Sequence, residues 1–138
     1  MRNERGASAV EFAIVVSLLF MVLFGTVQFG MAYNRSQGLQ AGAREGARLA
    51  AIGATFSEIQ QRVRLAQSLF VEGDVVVTTA PASSGSGRPC ATAGIGGLVT
   101  VTATVPPSSA YAIAIPIYGQ RQITYTGTGT FRCERTNT

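Results

Sequence analysis

Very few residues of this chain could take part in covalent chemistry. Its 138 residues include no histidine, and all eleven basic residues are arginine. This composition excludes Ser–His and Cys–His nucleophile pairs, Schiff-base lysines and most zinc sites. The seven acidic residues are spread along the chain, and none form a pair at helical spacing on a credible site. We therefore expect no enzymatic activity, no catalytic residues, no cofactor and no metal.

Ligand-binding signatures are equally weak. The glycines of Gly94-Ile95-Gly96-Gly97 lack the preceding strand and following helix that a phosphate-binding loop requires. Net charge is +4 and the isoelectric point is about 9.7, but the arginines are scattered and do not alternate with aromatic residues. We expect neither a small-molecule substrate nor a nucleic-acid partner.

Cys90 and Cys133 are the two cysteines. An even count suggests a single disulfide if this part of the chain lies outside the cytoplasm. Without a C-x-x-C pair or a histidine, a metal site is not favoured.

The N-terminal part contains an apolar run from Phe12 to Tyr33 with one real interruption, Gln28. Ser17 and Thr26 can bond back to their own helix, so they interrupt the run little. About 20 helical residues cross a bilayer core of about 30 Å, so the run predicts a single membrane span. A cleaved secretory signal is the rival interpretation, but the run is longer than the usual apolar part of such signals.

Glu11 stands at the start of this run, where a carboxylate near lipid is unfavourable. Its position alone is compatible with two arrangements. The carboxylate either lies at headgroup level in contact with water, or it has a partner of opposite charge.

Two stretches of sequence resemble a known family. Arg5-Gly6-Ala7-Ser8-Ala9-Val10-Glu11-Phe12 resembles the cleavage and assembly motif of type IV pilin-like proteins, particularly the tight-adherence (Flp) branch. Gln28-Phe29-Gly30 followed by Ala41-Gly42-Ala43-Arg44-Glu45-Gly46-Ala47-Arg48 resembles the TadE-like proteins of tight-adherence pili. The match covers roughly Glu4 to Ala51.

The resemblance implies a minor pilin or pseudopilin. A prepilin peptidase would cut between Gly6 and Ala7, which makes Glu11 the fifth residue of the mature chain, followed by the aromatic Phe12. A carboxylate in an apolar setting is stabilised by an opposite charge within about 4–6 Å. Glu11 could therefore pair with the new Ala7 amine of a neighbouring subunit during assembly.

A helix is expected to continue past the membrane to about Ile52. Gly38, Gly42 and Gly46 lie four residues apart on it, which suggests close backbone approach to another element. That element is either a neighbouring subunit or the chain's own sheet, and the second is slightly favoured. Arg44, Glu45 and Arg48 complete this helix packing motif, with Glu45 near Arg48 at i+3.

The remaining chain predicts a small α+β domain. Gly53 would end the first helix, and Thr55 to Glu58 predicts a capping box for a second helix. The following list gives the other predicted features: an apolar stripe of Phe56, Ile59, Val63, Ala66 and Phe70; strands at 75–80, 98–105 and 122–132; a loop at 81–97; an ambiguous stretch at 108–119.

Two details of the predicted strands bear on the core. In the final strand, we expect Ile123, Tyr125 and Phe131 to share a face with Cys133. A Cys90–Cys133 bond would tie the long loop to this strand. The threonine face between Thr124 and Thr130 is expected to be solvated rather than a contact surface.

We conclude that the fold is α+β and pilin-like, with a long N-terminal membrane helix, a short helix and an antiparallel sheet of about three strands. The expected divisions are a leader (1–6), the transmembrane and extended helix (7–52) and an extracytoplasmic domain (53–138). Expected partners are the inner membrane, the prepilin peptidase, other pilins and the assembly machinery, with the N-terminus cytoplasmic. The alternative is an uncleaved, membrane-anchored binding module.

Overall fold

The computed structural model describes residues 3–66, 75–107, 112–115 and 119–135. Its elements in chain order are α1 (Asn3–Ala51), α2 (Phe56–Leu65), β1 (Val76–Ala80), α3 (Pro89–Ala93), β2 (Leu98–Val105), β3 (Ala112–Ile115), β4 (Gly119–Gln122) and β5 (Tyr125–Arg132). The predicted α+β class, with a long first helix and a three-stranded antiparallel sheet, is confirmed.

Helix α1 has 49 residues and is therefore about 73 Å long at 1.5 Å per residue. It ends as predicted at a glycine, since Gly53 adopts a φ of 88° that other residues rarely adopt. The Gly53 N–H donates to the Ala50 carbonyl at 3.0 Å, and the Ala54 N–H donates to the Leu49 carbonyl at 3.1 Å. These two bonds satisfy carbonyls that would otherwise lack a hydrogen-bond partner at the end of the helix.

Helix α2 begins with the predicted capping box. The Thr55 Oγ1 accepts from the Glu58 N–H at 3.4 Å, and the Thr55 N–H donates to Glu58 Oε2 at 2.8 Å. That backbone bond, together with the Thr55 hydroxyl and the nearby Arg88 charge, lowers the pKa of the Glu58 carboxyl. The box fixes the turn between α1 and α2.

The predicted apolar stripe of α2 is only partly correct. Ile59 and Val63 are fully buried, and Phe56 packs against the core. Ala66 is exposed because the helix ends at Leu65, and Phe70 lies outside the described residues.

The main sheet has the strand order β1-β2-β5, with both pairs antiparallel. In its central strand the predicted alternation is confirmed, since Val99, Val101, Ala103 and Val105 are all fully buried. The register aligns Thr78, Thr102 and Thr128 across the opposite face. Of these, Thr78 and Thr128 are exposed and Thr102 is half-buried, so this is a largely solvated threonine face.

The final strand ends at Arg132 as predicted but differs from the prediction at its start. It begins at Tyr125, because Gln122 belongs to β4 and pairs with Ala112 of β3. Ile123 precedes the strand and is 37% exposed, and Phe131 is 41% exposed on the sheet's edge strand, where neighbours cover it from one side only. Phe131 lies opposite the buried Val99, so it keeps the predicted side of the strand together with Tyr125 and Cys133, which are both buried. The prediction was wrong for Ile123, which lies outside the strand.

Three short elements were not predicted. Helix α3 lies in the expected loop at 81–97 and starts with Pro89 in its first turn. Strands β3 and β4 form a separate antiparallel hairpin within and just after the ambiguous stretch. Pro116, which argued against a central strand, lies outside the described residues.

Candidate functional site

Helix α1 divides into two segments with opposite surroundings. The first, here called the apolar segment, covers residues 10–33. Its large hydrophobic side chains are between 42% and 72% exposed, except the half-buried Val16. An 18-residue window of α1 has a mean hydropathy of 2.4 and no buried residue. The core helix of a soluble protein would be covered on one side, so α1 suits a single-pass membrane anchor.

The hydroxyls within the apolar segment are satisfied by the helix itself. The Ser17 hydroxyl donates to the Ala13 carbonyl at 2.7 Å, and the Thr26 hydroxyl donates to the Leu23 carbonyl at 2.8 Å. Both bonds were expected from the sequence. They remove the cost of placing these two hydroxyls in lipid.

The residues of the cleavage and assembly motif lie at the start of α1. Gly6 is already helical, and a side chain at this position would meet nothing within 4 Å. Glu11 is exposed and Phe12 is 68% exposed. Among the described residues, Glu45 makes ion pairs with Arg48 and with Arg62.

The second segment of α1, here called the docked segment, covers residues 39–51. Leu39, Ala43, Ala47 and Ala50 are fully buried against the sheet and α2. Small side chains let the axis of α1 approach the sheet closely. This segment therefore forms part of the domain core while the same helix continues into the apolar segment.

The three glycines of the helix packing motif have different surroundings. A Cβ on Gly46 would lie 2.5 Å from Val63 Cγ2 and 3.3 Å from Val101 Cγ1, so the position has no room for alanine. Gly42 is also buried, whereas Gly38 is half-buried and has nothing within 4 Å of its Cβ position. Gly46 thus packs within the chain, chiefly against α2 and also against the sheet that the slightly favoured interpretation named, whereas Gly38 has open space beside it.

Two glycines of β5 complete this contact and were missed in the sequence. A Cβ on Gly129 would lie 2.5 Å from the Ala43 carbonyl oxygen, and one on Gly127 would overlap the Leu39 backbone. The backbone of α1 therefore lies directly on β5. Glycine weakens a strand unless another backbone approaches closely, and the sequence T-G-T-G-T carried that signal.

Gln40 connects α1 to the free edge of β5. Its Nε2 donates to the Thr128 carbonyl at 2.8 Å, and its Oε1 accepts from the Thr128 N–H at 3.1 Å. One side-chain amide thus supplies both bonds that a further strand would make at this residue. No local pattern indicates this pairing, because the two residues are 88 positions apart.

The charged residues of the motif lie away from the sheet. Glu45 Oε2 is 3.9 Å from Arg48 Nη1, the expected i,i+3 pair, and Glu45 Oε1 is 3.3 Å from Arg62 Nη2. Arg44 is exposed. Exposed pairs of this kind contribute at most about 1 kcal/mol, but the bond to Arg62 adds a link between α1 and α2.

Comparison with known protein families gives a match over most of α1. The family model described as "TadE-like protein" matches residues 6–48. Residues 6–48 are a TadE-like segment. No curated protein and no solved structure matches the chain.

The TadE-like segment runs from the glycine of the predicted cleavage site through most of the docked segment. It therefore contains both the candidate membrane span and much of the docked segment, which attaches the span to the domain. The match ends at Arg48, so α2 and all the strands lie outside it.

A disulfide closes the domain beyond the TadE-like segment. Cys90 and Cys133 are bonded, as predicted, with their Cα atoms 5.6 Å apart and both residues buried. The bond joins α3 to the end of β5, where the Cys133 N–H also donates to the Gly97 carbonyl at 2.7 Å. A bond of this kind typically adds about 2–4 kcal/mol to stability.

Proposed function

We propose that this chain is a minor pilin or pseudopilin that takes part in assembling a tight-adherence type IV pilus after a prepilin peptidase cuts between Gly6 and Ala7. The observation that carries the proposal is the division of α1. A TadE-like segment begins at Gly6, leaves an apolar helix uncovered and then becomes the core of a folded domain.

The uncovered apolar segment supports assembly as well as anchoring. A helix with large side chains exposed on all sides is stable in lipid, and it is equally stable when similar helices surround it. A subunit could therefore move from bilayer to filament without exposing this segment to water. The docked segment keeps the domain attached throughout.

Glu11 is the proposed assembly residue. After cleavage, the Ala7 amine would be positively charged at neutral pH. In apolar surroundings the Glu11 carboxylate requires a positive partner, and the Ala7 amine of a neighbouring subunit would supply one. Phe12, exposed beside Glu11, would pack against the same neighbour.

The proposed orientation places the N-terminus in the cytoplasm and the domain on the other side of the inner membrane. The Cys90–Cys133 disulfide supports an oxidising compartment for the domain. Arg2 and Arg5 favour a cytoplasmic start, although Arg35, Arg44 and Arg48 follow the span. The role is structural, and we propose no enzymatic activity.

The N-terminal residue of the protein purified from its host membrane tests the cleavage step. Mass spectrometry should find Ala7 at the start of the mature chain. A chain that retains Met1 would instead support an uncleaved anchor for a binding module. A start beyond Ala32 would show secretion after signal cleavage and would contradict both interpretations.

Glu11 variants test the assembly step separately. Glu11→Ala should reduce recovery of the protein with sheared pili by an order of magnitude or more, because truncating one partner of a desolvated pair typically costs about 2–5 kcal/mol. Glu134→Ala is the matched control, since Glu134 is an exposed carboxylate outside α1. Equal recovery of the two variants would contradict the assigned role of Glu11.

A further inference from the structure

The β3–β4 hairpin lies at the end of the domain nearest the apolar segment. This placement follows from β5, which runs alongside α1 in the same direction. Gly127 lies against Leu39, Gly129 lies against Ala43, and the Glu134 N–H donates to the Ala51 carbonyl at 2.9 Å. The start of β5 therefore points toward the apolar segment of α1.

Strand β2 brings the chain to the same end. It is antiparallel to β5, with Val105 opposite Tyr125 and Leu98 opposite Arg132. Thus β2 ends and β5 begins at the level closest to the apolar segment. Strands β3 and β4 occur between these two points, and only Ile123 and Thr124 separate β4 from β5.

Lengths along α1 and along the chain before β5 place the hairpin level with the end of the apolar segment. Leu39 is six residues beyond Tyr33, which is about 9 Å along a helix. Gln122 is five residues before Gly127, which spans up to about 17 Å in extended chain. Consistent with this, β3 lies beside α1, and Ala32 of the apolar segment is partly buried against the domain.

The hairpin has the composition of a membrane-interface element. Its register pairs Ile113 with Arg121 and Ile115 with Gly119, so the hairpin brings two isoleucine positions and one arginine position together. No charged residue occurs from Ser108 to Gln120, and the sequence adds Tyr111 and Tyr118. Tyrosine is enriched at lipid–water boundaries, and arginine can keep its charge among the headgroups.

We propose that the β3–β4 hairpin is a second membrane contact, which lies in the boundary between phospholipid headgroups and acyl chains on the side of the folded domain. The inference goes beyond pilus assembly and requires only that α1 spans the bilayer. Two contacts, one through the bilayer and one along its surface, fix the tilt of the domain.

Tryptophan reporters in the full-length protein test the contact, because the natural chain has no tryptophan. Ile113→Trp places the reporter in β3. Ile95→Trp is the matched control, since Ile95 is 75% exposed and lies beside Gly96, whose N–H donates to the Cys133 carbonyl at the far end of the sheet. Phe20→Trp, within the apolar segment, reports insertion. Each variant is reconstituted in phosphatidylcholine–phosphatidylglycerol vesicles with or without bromine on the acyl chains.

An interfacial element lies about 5–10 Å into the headgroup–acyl boundary, so brominated chains should reduce Ile113→Trp emission about twofold or more. Ile95→Trp should be unaffected, and Phe20→Trp should be strongly quenched. Equal emission from Ile113→Trp and Ile95→Trp in the two vesicle types would overturn the proposal. Unquenched Phe20→Trp would overturn both the membrane span and this contact, whatever the outcome of the cleavage experiment.

A further variant guards against local misfolding, and a dilution series guards against contact with a second copy. Ile115→Trp reports from the same strand of the hairpin and should be quenched to a similar extent. Quenching that disappears when the vesicles hold many copies, and returns on dilution to one copy per vesicle, would show that a second copy covers the hairpin instead of lipid. Quenching that does not depend on protein density supports the lipid contact.

Discussion

The two segments of α1 differ in side-chain size as much as in surroundings. In the apolar segment the exposed residues are large, including Leu18, Leu19 and Phe20. In the docked segment the buried residues are mostly alanine and glycine. A soluble amphipathic helix would show the reverse, with large residues inside and small or polar ones outside.

The difference reflects two ways of stabilising one helix. In the apolar segment, stability comes from transfer of large side chains into lipid, which needs no fixed partner. In the docked segment, it comes from close backbone contact with β5, which requires the absence of side chains at Gly127 and Gly129. Substitutions should therefore affect insertion and folding separately.

The largest expected effect follows Gly129→Val. The new side chain would meet the Ala43 carbonyl and the Arg44 Cα, which are backbone atoms that cannot move aside. Overpacking of this kind should reduce the free energy of unfolding by about 3 kcal/mol or more, as measured by urea denaturation of the full-length protein in detergent. Gly38→Ala is the control and should be neutral or stabilising, by up to about 1 kcal/mol, because it has open space and alanine favours helix.

Leu19→Arg in the apolar segment should affect membrane insertion but not folding of the domain. An arginine near the middle of a span costs about 2.5–3.5 kcal/mol of insertion free energy, so the membrane-integrated fraction in a carbonate extraction should decrease. The urea midpoint of the domain in detergent should not change, since Leu19 is 64% exposed and lies outside the core. A large shift of that midpoint would contradict the separation of the two segments.

Gln40→Leu should have an intermediate effect on folding. It removes the two bonds to Thr128, each of which contributes about 0.5–1.5 kcal/mol net. The expected loss is about 1–2 kcal/mol of unfolding free energy, with increased hydrogen exchange at the Thr128 amide. Gln37→Leu, at an exposed position one turn earlier, should leave that amide protected.

The smallest effect concerns the turn that follows the docked segment. The pKa of Glu58 is lowered in the folded protein, so its stabilising contribution is present above its usual pKa of 4.5 and is lost as the pH falls below that value. A series of thermal unfolding curves should show a slight decrease in stability across this range. Glu58→Gln should remove that part of the pH dependence, and an unchanged profile would show that other carboxylates cause it.

Local features of the fold could be read from the sequence. The alternation in β2, the capping box at Thr55 and the helix end at Gly53 each depend on neighbouring residues alone. The apolar segment was also clear, because an uninterrupted apolar run of this length is typical of a membrane-spanning helix.

Features that depend on tertiary contact could not be predicted. The glycine spacing in α1 indicated a close approach, but only the fold shows that Val63 fills the space beside Gly46. Helix α3 is too short for periodicity to reveal. Phe131 keeps its predicted side of β5 but is 41% exposed, and strand alternation does not show which positions an edge strand leaves uncovered.

The parallel course of β5 and α1 has a mechanical consequence. The two elements are joined at successive levels, by Gly127 against Leu39, by Gln40 to Thr128, and by the Glu134 amide to Ala51. A force that pulls α1 along its axis therefore strains these joints simultaneously, in shear, instead of opening them one after another. A domain held in this way resists extraction from its helix far better than one attached at a single point.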